Sequence, residues 1–122
     1  MKNKTLLAAA LLALLHIGVR AQPVVRDGAL TDAAGRTVYT FDKDAPNKSN
    51  CSGGCLAAWP AFVAKPGATA QGNFGLIDAS GTKQWTVNGK PLYYFAGDAK
   101  PGDRNGDGNG GVWHMVLPAA VK

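Results

Sequence analysis

The sequence predicts a mainly β fold: a small antiparallel β domain with two pseudo-symmetric, hairpin-containing repeats and one short helix near the two cysteines. First, all 8 acidic residues are Asp, which favours turns and caps, and there is no helix-forming Glu. Second, the chain carries 16 Gly and 7 Pro, as loop-rich domains do. Third, the Asn88–Gly89 pair lies between two strand-like segments, which is the strongest short hairpin signal.

Residues 1–21 have the pattern of a signal peptide. Two lysines precede an apolar run from Thr5 to Val19, and small residues stand before a cleavage site at Gln22. This run is shorter than the roughly 20 residues of a membrane-spanning helix, although a retained anchor is the alternative. We therefore predict an exported chain, periplasmic or secreted, in which residues 22–122 form a single soluble domain without a transmembrane anchor.

The charge of the chain argues against nucleic acid as a partner. The formal net charge is +5, and Lys2, Lys4 and Arg20 all lie in the predicted signal peptide, so the mature domain carries 5 − 3 = +2. Because no basic cluster remains to neutralise a run of phosphates, the sequence does not support nucleic-acid binding.

Several segments have the composition of β-strands, which is rich in β-branched and aromatic residues. The first is residues 37–41, which the turn-like residues 32–35 link to residues 28–31 in a predicted hairpin. Further strands are predicted over 74–77, 84–87, 91–95 and 112–117. One helix of one or two turns is predicted over residues 52–59, because Pro60 ends it.

A repeated motif divides the chain into two related units. Tyr39, Phe41 and Asp44 form the pattern Y-x-F-x-x-D, and the same pattern recurs at Tyr93, Phe95 and Asp98. Each copy leads into a polar loop that ends at a tryptophan, Trp59 or Trp113. Two such units, over approximately residues 28–60 and 83–117, are too few for a solenoid. We therefore expect them to pack around one core, with the motif aromatics inside it.

Together with other short segments, this motif resembles a bacterial family of secreted and lipoprotein-type chains with a repeated Y-x-(F/W/Y)-x-x-D motif. The segments that carry the resemblance are residues 39–44, 51–55, 58–60, 81–89, 91–95, 98, 100–103 and 110–113. The resemblance covers nearly all of the mature chain and implies an exported location and a repeated fold unit. It implies no activity, because the family's biochemical role is not established. The lipid-acceptor cysteine is missing here, which suggests a soluble form.

The two cysteines are predicted to form a disulfide. Cys51 and Cys55 are separated by Ser-Gly-Gly, which is flexible enough to close a short loop, and export would place them in an oxidising compartment. The alternative is a copper site or redox centre formed by Cys51, Cys55 and His114, since thiolates and imidazole suit copper. His114 is the one histidine of the predicted mature chain.

A second candidate metal site lies in the glycine-rich loop near the C-terminus. Asp103, Asn105 and Asp107, followed by Gly108, match the first half of a calcium-binding loop. The bidentate Glu of such loops is replaced by His114, so we expect at best a weak site, roughly in the 10⁻⁴–10⁻³ M range. The alternative is a solvated turn, and no cofactor is otherwise expected.

The motif aspartates, Asp44 and Asp98, allow two interpretations. They could form a carboxylate pair for acid–base chemistry or a cation, but we favour carboxylates that accept backbone N–H groups of the following loops. No G-x-S-x-G segment, phosphate-binding loop or dinucleotide-binding pattern is present, so no catalytic residue is predicted.

The sequence therefore favours a non-enzymatic binding or interaction module for an unknown extracytoplasmic ligand or protein. A periplasmic copper or thiol-redox protein is the alternative, and a small hydrolase is the third hypothesis.

Overall fold

A computed structural model describes residues 22–121, so the predicted signal peptide lies outside the described part of the chain. Its strands are β1 (Val24–Arg26), β2 (Ala29–Thr31), β3 (Tyr39–Phe41), β4 (Phe74–Ala79), β5 (Thr82–Val87), β6 (Lys90–Pro91) and β7 (Trp113–Met115). Helix α1 is Gly54–Ala58, and 3₁₀ turns span Asn109–Gly111 and Pro118–Val121. Over this range no helix combines the length and apolarity that a membrane crossing requires.

All strand pairs are antiparallel, which confirms the predicted fold class. The sheets have the orders β1-β2, β3-β7 and β4-β5-β6, and isolated bridges join them. The predicted turn over residues 32–35 also forms: Thr31 pairs with Thr37, and the amide of Asp32 donates to the carbonyl of Arg36 at 2.9 Å. Helix α1 lies within the predicted residues 52–59 and ends before Pro60.

Tight two-residue turns connect β1 to β2, β4 to β5 and β5 to β6. In the last of these, Asn88 and Gly89 have φ of 50° and 79°, the left-handed conformation that a type I′ hairpin turn needs twice. This confirms the hairpin predicted there. Asp27–Gly28 has the same geometry, with φ of 52° and 80°, yet the sequence analysis did not assign β1. An Asp-Gly pair after Val24 and Val25 was the signal that could have found it.

Each repeat gives its last extended segment to the other repeat. Strand β7, from the second repeat, pairs with β3 of the first. Residues 60–64 of the first repeat run beside the second, where the amide of Phe62 donates to the carbonyl of Leu92 at 2.9 Å. The amide of Trp85 donates to the carbonyl of Phe62, also at 2.9 Å. The two repeats are therefore interleaved, and neither completes its own sheet.

The motif tyrosines meet where the repeats cross. The amide of Tyr39 donates to the carbonyl of Tyr93 at 2.8 Å, and the reverse bond measures 2.9 Å. Tyr93 also forms a bridge with Ala61. The prediction of one continuous strand over residues 91–95 was therefore wrong: β6 ends at Pro91, the amide of Leu92 still donates to the carbonyl of Trp85 in β5 at 2.9 Å, and Tyr93 then pairs with Tyr39 of β3.

Two hydrophobic clusters fill the interior. The first is mainly aliphatic, with Phe62 and Trp85, and its buried members are Leu30, Val38, Phe62, Ala64, Trp85, Val87, Leu92 and Val116. The second, here called the aromatic cluster, contains the motif tyrosines, and its buried members are Tyr39, Cys51, Trp59, Tyr93 and Trp113. Phe41 and Phe95 pack against the aromatic cluster and are partly buried. The aromatics of both motif copies thus share one core.

Candidate functional site

The motif tyrosines and aspartates form reciprocal hydrogen bonds between the repeats. The Tyr39 hydroxyl donates to Oδ2 of Asp98 at 2.7 Å, and the Tyr93 hydroxyl donates to Oδ2 of Asp44 at 2.8 Å. Each tyrosine therefore binds the aspartate of the other motif copy and not that of its own. These bonds link residues 59 and 49 positions apart along the chain.

The second oxygen of each motif aspartate accepts a backbone amide from the loop that follows it. Oδ1 of Asp44 accepts the amide of Asn50 at 2.7 Å, and Oδ1 of Asp98 accepts the amide of Asn105 at 2.9 Å. This is the interpretation that the sequence favoured for these carboxylates, and the tyrosine bond is an addition to it. Both carboxylates are thus engaged on both oxygens by groups of the protein, which makes the motif part of the scaffold.

Burial sets the protonation of this network. Removal from water raises the pKa of Tyr39 and of Tyr93 well above the ordinary tyrosine value, and each aspartate partner raises it further. Burial also raises the pKa of Asp44 above its usual range, against the opposing effect of its two hydrogen bonds. Both hydroxyls therefore remain neutral donors at physiological pH, and neither is suited to act as a base.

A stack of four aromatic rings runs through the aromatic cluster. Trp59 and Trp113 lie face to face with centroids 3.8 Å apart and planes 2° apart. Phe41 stacks on Trp113 at 4.2 Å, and Phe95 stacks on Trp59 at 4.4 Å. Each tyrosine meets one tryptophan edge to face, Tyr39 with Trp59 and Tyr93 with Trp113. The motif aromatics of both repeats thus contribute equivalent positions to one stack.

Cys51 and Cys55 are joined by a disulfide with a Cα–Cα distance of 5.3 Å. It closes the loop between β3 and α1, and Cys51 is buried in the aromatic cluster. The second repeat has Gly106 next to Asn105, as Cys51 stands next to Asn50. A Cβ atom at Gly106 would lie 2.8 Å from the Trp59 ring, so that loop fits closely without a side chain. The disulfide is thus a feature of the first repeat alone.

The residues of the predicted calcium loop each take part in a separate hydrogen bond of the fold. Oδ2 of Asp103 accepts the amides of Ala99 and Lys100 at 2.9 and 3.2 Å. Oδ1 of Asp107 accepts the amide of Met115 at 3.0 Å. Asn105 contributes its backbone amide to Asp98. Each carboxylate of this loop is therefore directed at a different part of the backbone.

The residues of the alternative copper site are also engaged separately. The two cysteines form the disulfide, and Nε2 of His114 lies 2.8 Å from Oδ2 of Asp42 on the surface of the β3-β7 pair. Among residues 22–121, no group of three His, Cys, Asp or Glu side chains is placed to hold a metal ion. For the residues of both candidate sites, the geometry therefore supports structural roles more strongly than it supports calcium or copper binding.

The largest depression described on the surface is a cleft of about 640 Å³ beside the disulfide, here called the disulfide cleft. It lies between the loop of residues 47–56, residues 60–63 and the tip of the β4–β5 hairpin. Its polar lining is Asn47, Lys48, Ser49, Ser52, Asp78, Ser80, Thr82 and Gln84, and its apolar lining is Cys51, Leu56, Pro60, Ala61, Val63 and Ala79. The sequence analysis missed this cleft, because its three walls are far apart in the chain and carry no common motif.

One hydroxyl chain reaches the disulfide cleft from the motif. The Ser49 hydroxyl lines the cleft and is hydrogen-bonded to the Tyr93 hydroxyl, which in turn donates to Asp44. Because Tyr93 uses its one proton on Asp44, Ser49 is the donor in the outer bond. This order of donors makes the Tyr93 hydroxyl an acceptor of the Ser49 hydroxyl proton in a hydrogen bond and not a base that removes it.

Comparison with known proteins identifies a family but no characterised relative. Residues 25–63 and 76–117 each match the model of a family described as a secreted repeat of unknown function. Each match contains one copy of the repeated motif, and the two matches together cover more than half of the chain. No curated protein matches the chain. No solved structure matches it either.

Proposed function

The chain belongs to this family of secreted repeats, and from that premise we propose that it is an exported, non-enzymatic binding module whose ligand occupies the disulfide cleft. One observation carries the proposal: the motif side chains satisfy one another across the repeats and are therefore not available to a ligand. The motif builds the scaffold, and the cleft presents polar side chains from outside the motif. Its volume of about 640 Å³ lies within the roughly 300–1,000 Å³ of small-molecule and peptide sites.

The composition of the cleft supports binding over catalysis. Its lining places hydroxyl, amide and charged side chains, which can orient a ligand, beside apolar side chains that offer contact area. A nucleophile needs an adjacent base, and the high pKa of Tyr93 deprives Ser49 of one. Hydrolysis is therefore less well supported than binding.

The test is an NMR titration of the ¹⁵N-labelled protein, residues 22–122, with five classes of probe: free amino acids, blocked pentapeptides, neutral oligosaccharides, CaCl₂ and CuSO₄. We expect one class to shift amide signals that cluster on the cleft walls. Val63 and Leu117 are both exposed, at 46% and 53%, and each follows the tryptophan of its repeat by four positions.

Val63 lines the cleft, and Leu117 is not among its lining residues. Val63→Arg should therefore abolish the shifts of the cleft amides, and the matched variant Leu117→Arg should retain them. Shifts confined to surfaces outside the cleft, or a probe that is hydrolysed during the titration, would overturn the proposal. Calcium or copper as the one active probe would instead move the assignment to a metal-binding protein.

A further inference from the structure

The segment that forms one wall of the disulfide cleft is paired on one side only. The amide of Phe62 donates to the carbonyl of Leu92 at 2.9 Å, and the amide of Ala64 donates to the carbonyl of Lys83 at 2.8 Å. Because backbone groups of an extended chain alternate in direction, those of Ala61 and Val63 point to the opposite side. In the described part of the chain, neither the amide nor the carbonyl of Ala61 or of Val63 has a hydrogen-bond partner.

The second repeat shows the same edge with two of its backbone groups covered. Met115 and Leu117 follow Trp113 as Ala61 and Val63 follow Trp59. The amide of Met115 donates to Oδ1 of Asp107 at 3.0 Å, and the carbonyl of Leu117 accepts the amide of Ala120 at 2.9 Å. The second repeat thus pairs the Met115 amide and the Leu117 carbonyl within the protein. The equivalent groups of the first repeat, the Ala61 amide and the Val63 carbonyl, are unpaired in the described part of the chain.

The loop of the first repeat lacks the side chain that closes the edge. Asp107 stands two residues after Asn105, whose amide binds Asp98, and Ser52 stands two residues after Asn50, whose amide binds Asp44. Ser52 lines the disulfide cleft together with Ala61 and Val63. In the described part of the chain Ser52, whose side chain is shorter than that of an aspartate, forms no hydrogen bond with the Ala61 amide, so this amide stays unpaired in a residue of the cleft wall.

We propose that an extended segment of a partner polypeptide adds to the edge at residues 61–63 as a further β-strand. This inference rests on the proposed function and names the ligand class of the same cleft. Donors and acceptors that recur every second residue, roughly 7 Å apart, match the backbone of another extended chain. A sugar or a metal ion offers no such repeat of alternating groups.

The cleft also fits the side chains of such a segment. Leu56 and Val63 offer apolar contacts, while Ser80 and Thr82 at the tip of the β4–β5 hairpin offer hydroxyl groups. An open edge of this kind promotes pairing with other chains unless it is covered, and the second repeat covers its Met115 amide and its Leu117 carbonyl. The contrast between the repeats at these two groups therefore places the partner strand on the first repeat.

The experiment measures amide hydrogen exchange in residues 22–122 by NMR, with and without a blocked pentapeptide of alternating Val and Thr. At a peptide concentration ten times its dissociation constant, exchange at Ala61 and Val63 should slow about tenfold. Met115, already bound to Asp107, should not change. Ser52→Asp places a carboxylate at the position equivalent to Asp107 and should abolish the effect, while Thr69→Asp adds the same charge to the exposed linker loop, outside the cleft lining, and should retain it.

Three outcomes would overturn the inference. If the peptide shifts cleft signals but leaves exchange at Ala61 and Val63 unchanged, the binding module stands and strand addition fails. If no probe of any class shifts the cleft, the proposed function fails as well. If Ala61 and Val63 become protected without peptide as the protein concentration rises, the occupant is a second copy of this chain and not a partner polypeptide.

Discussion

At the scale of single residues, the repeated motif is a device for joining two repeats. The hydroxyl of the tyrosine at its start does not donate to the aspartate at the end of the same copy. Each binds the complementary residue of the other copy, so the hydroxyl of Tyr39 reaches Asp98 and that of Tyr93 reaches Asp44. Because an unpaired buried carboxylate is costly, these bonds favour the crossed arrangement over two separate repeats.

The first prediction tests this crossing by double-mutant cycles. Tyr39→Phe and Asp98→Asn should each lower the free energy of unfolding by about 1–3 kcal/mol, because each leaves a buried polar partner unpaired. Their coupling energy in urea denaturation should be about 0.5–3 kcal/mol. The control cycle pairs Tyr39→Phe with Asp44→Asn, in the same motif copy, and should show additivity. Equal coupling in both cycles would contradict the crossed pairing.

The second prediction concerns alkaline pH. The pKa of Tyr39 and of Tyr93 is raised in the folded state, whereas in the unfolded chain it lies near 10.0. Above that pH the unfolded state loses the tyrosine protons and the folded state keeps them, so the free energy of unfolding falls as pH rises. Each tyrosine contributes up to about 1.4 kcal/mol per pH unit.

Urea denaturation between pH 9 and 11.5 measures this dependence. Tyr93→Phe should show a shallower decline than the unmodified protein, because one of the linked protons is gone. Parallel curves for the two proteins would show that Tyr93 ionises in the folded state.

At the scale of elements, the loop after β3 and the loop before β7 reach the same geometry by different means. Both present an asparagine amide to a motif aspartate and both lead to a tryptophan of the stack. The first loop is closed by the disulfide and contains α1, and the second fits closely because Gly106 has no side chain. The second loop shows that the geometry forms without a disulfide.

The third prediction follows for the disulfide. Cys51 and Cys55 should resist alkylation in protein isolated without reductant, as mass spectrometry will show. The double variant Cys51→Ser/Cys55→Ser should fold but lose about 2 kcal/mol of stability, since a short closed loop restricts the unfolded chain only moderately. Ser52→Ala, within the same loop, is the control and should change stability little. A double variant that does not fold would contradict the equivalence of the two loops.

At the scale of the whole molecule, the exchange of the last segments makes the two repeats one structural unit. Strand β7 completes the first repeat and residues 60–64 complete the second, so neither hydrophobic cluster belongs to one repeat. The loop of residues 65–72 connects the units and carries Pro66 and Gly67, as expected for a linker. The molecule should therefore lose its structure in one step.

The fourth prediction tests this cooperativity. Phe41→Ala and Phe95→Ala remove opposite ends of the aromatic stack and should each destabilise the protein by about 3 kcal/mol. In both variants the amides of the two repeats should unfold at the same urea concentration, as measured residue by residue by NMR. Separate transitions for the two repeats would show that each folds independently.

The local features of this protein follow from short stretches of its sequence. Asn-Gly fixed the β5–β6 turn through its left-handed φ angles, Pro60 ended the helix, and composition selected an antiparallel β class. The repeated motif identified two units. Each of these signals lies within a few neighbouring residues, because turn conformation and helix termination depend on local interactions. The signal peptide over residues 1–21 rests on the same kind of local pattern and stays a prediction.

Which residues contact each other depends on the tertiary structure. Nothing in Y-x-F-x-x-D says that Tyr39 binds Asp98 rather than Asp44, because partner choice depends on how two repeats pack. The disulfide cleft and its open edge arise in the same way, from walls that distant segments bring together. The Met115 amide is bound by Asp107 while the Ala61 amide is unpaired among the described residues, and this difference is visible only in the folded loops. Such long-range hydrogen bonds form only when both repeats have packed. The groups that the surface offers to a ligand therefore depend on the tertiary structure.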